Sequence, residues 1–210
     1  QYLVCPQCLP EELSLELSAD RQEDEEILAG SLSCKACGSS YPIEDGLAVV
    51  LPEESRGILS VESGYNSKNM LSSYLWSHFC DTFDDPDATD AYARWSECFN
   101  GGSGMALDIG SSVGRLSFEM SQTHDRVIGI DTSPVFIRAA RNLLMNKRLE
   151  FDMVIEGEIT QKRAIEFHNG WQYDRVEFLV ADAMALPFKN ALFSTVASIN
   201  ILEKVPDPMK

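Results

Sequence analysis

The sequence is poor in basic residues and contains no long apolar run. It has 17 Lys and Arg residues against 33 Asp and Glu residues, which gives a formal net charge of −16 at pH 7. No segment approaches the ~20 consecutive apolar residues that a membrane-spanning helix needs. No basic segment followed by an apolar stretch marks a secretory signal. These features argue against a membrane partner and predict a cytoplasmic protein.

The shortage of basic residues is greatest in the first 62 residues, which contain thirteen Asp or Glu residues and only Arg21, Lys35 and Arg56 as cations. Proteins bind nucleic-acid backbones mainly through Lys and Arg side chains. We therefore expect no nucleic-acid partner. The charge also has a simpler interpretation, because a high net charge keeps a protein soluble whatever it binds.

The length and apolar content are sufficient for a packed core. With 210 residues and 44% hydrophobic residues, the chain is expected to form one domain of ordinary size and a smaller one. It begins at Gln1 and not at a methionine, so we expect its true start to lie upstream.

Four of the six cysteines form two pairs with the same spacing. Cys5 and Cys8, like Cys34 and Cys37, have the Cys-x-x-Cys spacing that presents two thiolates from one tight turn. Together they predict a closed Cys₄ zinc site, which is structural and supplies folding energy to a small segment. Two disulfides and a redox dithiol are the alternatives. No secretory signal is seen, which argues against disulfides, and a redox dithiol would not need a second Cys-x-x-Cys pair. Cys80 and Cys98 are expected to be buried thiols.

The cysteine pairs lie within a longer pattern. It consists of Leu3–Cys8, Leu32–Gly38, Tyr41–Gly46 and Leu51-Pro52. This pattern, over about residues 1–54, resembles a small zinc-ribbon family whose best-known member is the activator subunit of several tRNA and translation-factor methyltransferases. The acidic stretch Arg21–Glu26 departs from it. In that family the ribbon is a separate partner, whereas here it is fused to the rest of the chain.

After Met105 short apolar runs alternate with segments of helical spacing. This alternation predicts an α/β fold, a Rossmann-like parallel sheet with right-handed crossovers. The predicted strands are Met105–Ile109, Val127–Ile130, Val176–Val180 and Ser194–Ile199, and the predicted helices are Arg115–Gln122 and one that begins at Pro134.

Glycines and acids stand where the predicted strands end. Gly110 and Gly114 follow the first strand and permit a close approach of the backbone to a ligand. Asp131 follows the second strand, where a carboxylate can accept hydrogen bonds from ribose hydroxyls. An NAD-dependent dehydrogenase is the alternative, but its G-x-G-x-x-G spacing is not found at residues 110–115.

The third strand is followed by Ala181-Asp182-Ala183, and this arrangement over residues 105–210 resembles the class I S-adenosylmethionine-dependent methyltransferases. Their first motif is matched by Leu107–Gly114, and the segments Ala185–Phe188, Phe193–Val196 and Val205–Pro208 are also typical of them. Ser112 stands where the family usually has a glycine. The resemblance implies that the S-adenosylmethionine-binding residues are Asp108, Gly110, Ser112, Gly114, Asp131, Asp182 and Ala183.

A looser resemblance, to methyltransferases assigned to the ovothiol pathway, rests on Lys68–His78, Gly114–Glu119, Phe136–Ala140 and Glu156–Glu158. It includes an insertion at about residues 147–174 and implies a small-molecule substrate such as a thiol-substituted histidine. A methyltransferase that modifies RNA or protein and a non-catalytic regulatory module are the alternative functions.

The sequence identifies no general base. The methyl-acceptor pocket is expected to use residues from the helix-rich segment and from the end of the fourth strand. Tyr74 and His78 lie four residues apart, a spacing that also suits ordinary packing on a helix. The candidates are Tyr65, Tyr74, His78, Asn200 and Glu203, of which Asn200, His78 and Tyr74 are the catalytic candidates.

We therefore expect a zinc ribbon at residues 1–62, a helical linker or cap at residues 63–104 and a methyltransferase core at residues 105–210. The resemblance implies further strands after the fourth, so the core is expected to be incomplete at its C-terminus. An exposed inner strand is prone to pairing. Either the chain is a fragment, or the missing part is disordered, or a second copy of the chain or another partner covers this edge.

Overall fold

A computed structural model describes residues 2–59, 64–83, 88–99 and 101–207. Two of the predictions from sequence fall outside these ranges. They are the boundary between residues 62 and 63, and Pro208 at the end of the segment Val205–Pro208. Within them, no helix is both long enough and apolar enough to cross a membrane.

Ten strands and four α-helices are found in the described part of the chain. The strands are β1 Glu16–Glu23, β2 Glu26–Ser33, β3 Ser40–Glu44, β4 Leu47–Val50, β5 Met105–Ile109, β6 Arg126–Asp131, β7 Arg148–Glu156, β8 Ile159–Glu166, β9 Val176–Ala181 and β10 Thr195–Ser198. The helices are α1 Lys68–Phe79, α2 Ala91–Ser96, α3 Arg115–Met120 and α4 Pro134–Asn146.

Eight of these strands form one sheet in the order β1-β2-β3-β4-β9-β6-β5-β10. Strands β1 to β4 are antiparallel neighbours, whereas β9, β6, β5 and β10 are parallel. The two halves join where β4 pairs in parallel with β9, with Val49 opposite Val180 and Val50 opposite Ala181. The N-terminal ribbon and the parallel sheet therefore share one hydrogen-bonded sheet.

The two faces of the parallel strands are covered by different parts of the chain. Because side chains alternate along a strand, Ala106 packs among the helices while Leu107 faces the opposite way. Leu107 belongs to a buried cluster that includes Cys5 and Tyr41 of the ribbon. The ribbon thus forms part of the hydrophobic core on one face of the sheet.

The predicted parallel sheet is confirmed, and its helices begin where the sequence signals indicate. Ser133 caps α4: its Oγ accepts a hydrogen bond from the backbone N–H of Phe136 at 3.2 Å, and Pro134 occupies the first turn. The expected insertion contains an antiparallel hairpin of β7 and β8. Among the described residues, β10 lies at one edge of the sheet, and its Val196 is 54% exposed.

The prediction that both single cysteines are buried is confirmed for one of them and wrong for the other. Cys80 is buried at the end of α1, whereas Cys98 is exposed. Cys98 lies in the short 3₁₀ helix Glu97–Phe99, where it points away from the core that covers Ser96 in the preceding turn.

Candidate functional site

The four N-terminal cysteines converge on one point. All their Sγ atoms lie within 4.8 Å of one another, with Cys5 Sγ 3.6 Å from Cys37 Sγ and Cys8 Sγ 3.9 Å from Cys34 Sγ. Thiolates bound at ~2.3 Å around a tetrahedral Zn²⁺ are about 3.8 Å apart, so the cluster fits zinc. Contacts with the side chain and backbone of Ser39 lower the pKa of the Cys37 thiol to about 6, whereas the hydrogen bond with Cys37 raises the pKa of the Cys8 thiol, so Cys37 is the first of these two thiols to become the thiolate that a metal needs.

The turn after β5 holds three residues in left-handed backbone conformations. Gly110 has φ 74°, Ser112 has φ 52° and Gly114, the N-cap residue before α3, has φ 86°. The backbone N–H groups of Gly110 and Ser111 both donate to the carbonyl oxygen of Ile130, which fixes the turn against β6. A Cβ at Gly114 would lie 2.7 Å from Phe178 Cζ, so this glycine is required by packing as well as by its φ.

Asp131 lies at the end of β6 and is held by backbone donors. Its Oδ2 accepts from the N–H of Ser112 at 3.0 Å, and its Oδ1 accepts from the N–H of Ser133 at 2.8 Å. Burial raises the pKa of Asp131, and these backbone hydrogen bonds oppose the shift. The carboxylate is therefore fixed in orientation at the carboxyl ends of the strands.

Asp182 follows β9 and contacts a residue from the ribbon side of the molecule. Its Oδ1 accepts from the N–H of Met184 at 2.8 Å, and its Oδ2 accepts from the Ser55 hydroxyl at 2.5 Å. Ser55 lies in the 3₁₀ helix Glu53–Leu59 that follows β4. Nothing in the sequence around Ser55 pairs it with Asp182, so sequence reasoning missed this residue.

Asp131 and Asp182 line a cavity of about 570 Å³ at the carboxyl ends of the parallel strands, which we name the strand-end cavity. Gly110, Ala183 and Ser55 also line it. Ligands of open α/β sheets bind in the crevice at this position. Three carboxyl strand ends and the connector from the ribbon thus enclose one space.

Asp108 is placed differently from the other expected cofactor residues. It is fully buried behind the turn and accepts a hydrogen bond from the Ser117 hydroxyl at 2.7 Å. Burial raises its pKa to about 7, although the Ser117 hydrogen bond opposes that shift. Of the expected cofactor residues, Asp108, Ser112 and Gly114 do not line the strand-end cavity.

A second cavity, of about 420 Å³, adjoins the first at Gly110 and Asp131, which line both. We name it the aromatic cavity. Four of the five expected acceptor residues line this cavity, and Glu203 does not. Tyr92, Trp95 and Phe136 also line it; sequence reasoning missed them because their pattern is that of ordinary core residues. The expected residues on its wall are Tyr65, Tyr74, His78 and Asn200, with Ser112 from the turn.

His78 is buried between two tyrosines. Its Nε2 is 2.7 Å from the Tyr92 hydroxyl, and its ring centroid is 5.4 Å from that of Tyr74. Within the described part of the chain its Nδ1 has no hydrogen-bond partner. Burial, followed by the charge of Arg115, lowers the pKa of His78 to about 3, so the imidazole is neutral at physiological pH.

Arg115 fixes the end of α1 against α3. This buried side chain donates to both carboxylate oxygens of Asp81, at 2.7 and 2.8 Å, and pairs with Glu119. It also donates to the backbone carbonyl oxygen of His78 at 3.1 Å. The wall of the aromatic cavity is therefore tied to the helix that begins at the Gly110–Gly114 turn.

Two family models match the chain. Residues 107–210 match a model described as Methyltransferase domain, and residues 2–46 match one described as Trm112p-like protein. No curated protein matches the chain significantly.

Solved structures that match the chain include phosphoethanolamine N-methyltransferase 2 from Haemonchus contortus, at 16% identity and a TM-score of 0.49. The match covers 79% of this chain and 32% of that one. A complex that contains the Haloferax volcanii Trm112 methyltransferase activator matches at 16% identity and a TM-score of 0.40, covering 68% and 52%. The YcgJ protein of Bacillus subtilis matches at 16% identity and a TM-score of 0.42, covering 57% and 42%.

This chain therefore spans between 32% and 52% of the length of these structures. The two matches fall on the two halves of the sheet: the first extends from Leu107 within β5 past β10, and the second covers β1 to β3 with all four clustered cysteines, while β4 lies outside both. Residues 107–210 thus belong to the methyltransferase domain family, and residues 2–46 belong to the Trm112p-like family.

Proposed function

We propose that the protein is an S-adenosylmethionine-dependent methyltransferase that acts on a small molecule. The observation that carries this proposal is the junction of the strand-end cavity and the aromatic cavity at Gly110 and Asp131. A cofactor site and an acceptor site that open into each other can align two reactants, which is the main contribution of a protein to methyl transfer.

The cofactor would supply a methyl group on a sulfonium. Asp131 is placed to accept hydrogen bonds from both ribose hydroxyls, because a carboxylate held by backbone donors keeps lone pairs for further donors. The turn from Gly110 to Gly114 would receive the amino-acid end, and Asp182 with Ala183 would lie near the adenine. The position of Gly110, Asp131, Asp182 and Ala183 on the wall of the strand-end cavity supports this proposal.

The acceptor side would position its substrate without a strong base. Burial raises the pKa of Tyr74 to about 12, so the phenol is uncharged at neutral pH. His78 is neutral, with a pKa too low for efficient proton abstraction near pH 7. Asn200 is exposed on the wall of the aromatic cavity with φ 55°. We propose that Asn200, His78 and Tyr74 orient the acceptor, a compound such as a thiol-substituted histidine.

Calorimetric titration tests the cofactor assignment. We expect S-adenosylmethionine and S-adenosylhomocysteine to bind with micromolar affinity and NADH to bind at least about tenfold more weakly, a difference of ~1.4 kcal/mol. Tight NADH binding without binding of either sulfur compound would refute the assignment.

A second candidate is a methyltransferase of RNA or protein, which the Trm112p-like match at residues 2–46 favours. The acidity of the first 62 residues opposes an RNA substrate, since phosphate groups need cations. Gel-shift titration distinguishes the two: the small-molecule proposal expects no RNA binding in the submicromolar range, and salt-sensitive binding there would favour the second candidate.

A further inference from the structure

Six rings form a continuous wall in the aromatic cavity. Tyr74 lies at the centre of one half, with its ring centroid 4.7 Å from Phe136 and 6.0 Å from Tyr65. In the other half, Tyr92 lies 4.2 Å from His78 and 5.0 Å from Trp95. Tyr74 and His78, 5.4 Å apart, connect the halves. All six residues line the cavity of about 420 Å³.

Most of this wall is uncharged. Tyr74 and Tyr92 are protonated and His78 is neutral, so its ring presents a π face and not a cation. Among the described residues, two charged side chains line the cavity, namely Asp131, which ends β6, and Lys204, which lies 3.9 Å from Glu203. Lys204 is itself more than half exposed. The ring-lined part therefore favours a cation over an anion, because the faces of aromatic rings carry negative potential.

We propose that these rings form a cage for a positively charged nitrogen, and that the group methylated is an amine nitrogen of the small-molecule acceptor, so that a thiol-substituted histidine would be methylated on nitrogen and not on sulfur. This inference rests on the proposed methyltransferase function. The acceptor reacts as the free amine, after its proton has passed to solvent: an N–C bond forms while the S–C bond breaks, and the S–C electron pair stays on sulfur. The nitrogen thereby acquires the positive charge that sulfur loses, next to the cage.

The cage accounts for the composition of the wall better than an acceptor that ends neutral. A thiolate that is methylated becomes an uncharged thioether, and it would gain nothing from ring faces beyond apolar contact. A substituted ammonium gains apolar contact and cation–π attraction together. Trp95 and Tyr65, 36% and 44% exposed, leave the cage open to a solute.

The test uses the full-length protein saturated with S-adenosylhomocysteine, which fills the cofactor site without bringing a sulfonium. Choline is then titrated by calorimetry and compared with 3,3-dimethylbutan-1-ol, its uncharged isostere. We expect choline to bind about tenfold more tightly than the alcohol. Equal binding of the two compounds would overturn the cage.

Two matched variants localise the binding. Trp95→Leu removes a ring from the cage, whereas Trp76→Leu removes an exposed ring from α1 that does not line the cavity. We expect Trp95→Leu to weaken choline binding about fivefold or more and to leave the affinity for S-adenosylhomocysteine unchanged, and Trp76→Leu to change neither. Equal losses in the two variants would contradict the assignment.

The same titrations separate this inference from the proposed function. Failure of S-adenosylhomocysteine to bind would overturn the methyltransferase proposal together with the acceptor role of the cage. Choline binding that occurs only without S-adenosylhomocysteine would overturn the cage alone, because the rings would then surround the place of the cofactor sulfur.

Discussion

Asp131 combines two tasks in one carboxylate. It would hold the ribose, and it already accepts hydrogen bonds from the backbone of Ser112 and Ser133. From the sequence we expect removal of the side chain to affect ligand binding alone. The structure indicates that Asp131→Ala also destabilises the turn, because the N–H groups of Ser112 and Ser133 lose their acceptor.

We predict that Asp131→Ala weakens S-adenosylhomocysteine binding by about 1.5–3 kcal/mol, which is tenfold or more, because hydrogen bonds to a charged group have that value. Calorimetry measures the affinity, and thermal unfolding measures the effect on the turn. The matched control is Glu158→Ala, which removes an exposed carboxylate at the tip of the β7–β8 hairpin. Wild-type affinity in Asp131→Ala would remove this residue from the site.

We expect His78 to make the stability of the protein depend on pH. Its pKa is about 3 in the folded state, against ~6.5 for an unperturbed histidine. Below about pH 6.5 the unfolded chain therefore binds a proton that the native state does not bind. The free energy of unfolding decreases as the pH is lowered, down to about pH 3. Asp108 acts in the opposite sense, because its raised pKa lets the native state bind a proton first.

We predict that His78→Gln removes the histidine part of this dependence. Between about pH 7.5 and pH 5, the variant should gain about 2 kcal/mol of unfolding free energy relative to the wild type. Asp108 is present in both proteins, so its contribution cancels. Urea unfolding of both proteins at the two pH values measures the difference in unfolding free energy between the variant and the wild type. If this difference is the same at both pH values, His78 is not kept neutral by burial.

At the scale of elements, the start of α3 depends on a glycine that packing leaves no room to replace. A Cβ at Gly114 would lie 2.7 Å from Phe178 and 2.9 Å from the Cβ of Ala140, which belongs to α4. Gly157, in the turn of the β7–β8 hairpin, also has a positive φ of 58° but has nothing within 4 Å of the added atom. A comparison of substitutions at these two glycines therefore separates the cost of backbone strain from the cost of crowding.

We predict that Gly157→Ala costs about 1–2 kcal/mol of unfolding free energy, the value of a left-handed conformation for an L-residue. Gly114→Ala should cost about 1–3 kcal/mol more, since crowding adds to that strain. Chemical denaturation compares the variants. Equal destabilisation would show that α3 and α4 can move apart without cost.

At the scale of the whole molecule, the ribbon and the cofactor site are mechanically connected. Strand β4 pairs with β9, and the chain then passes directly to Ser55, which donates to Asp182. Pro52 and Glu54 line the strand-end cavity beside it. Loss of the ribbon's structure would therefore remove part of the wall of the strand-end cavity.

We predict one zinc ion per chain, bound by Cys5, Cys8, Cys34 and Cys37, since these four thiols fit a closed tetrahedral site. Removal of zinc with a chelator should unfold the ribbon and weaken S-adenosylhomocysteine binding about tenfold, the value of one hydrogen bond to a charged group. Elemental analysis and calorimetry measure the two effects, and added zinc should restore affinity. Unchanged affinity after complete loss of zinc would show that the cofactor cavity does not need the ribbon.

The sequence by itself determined what depends on local chemistry. Cysteine spacing identified the four clustered thiols, the alternation of strand and helix predicted the parallel sheet, and the glycine turn with Asp131 and Asp182 marked the ends of its strands. These predictions depend on residues close together in the chain, where spacing translates directly into geometry.

Only the tertiary structure decided which distant residues meet. The pairing of β4 with β9, the hydrogen bond from Ser55 to Asp182 and the joining of Tyr65, Tyr92, Trp95 and Phe136 in one wall bring together segments far apart in the chain. The exposure of Cys98 was likewise decided by what packs around its turn. A single sequence records the types of these side chains, but their contacts are set by the packing of sheet and helices as a whole.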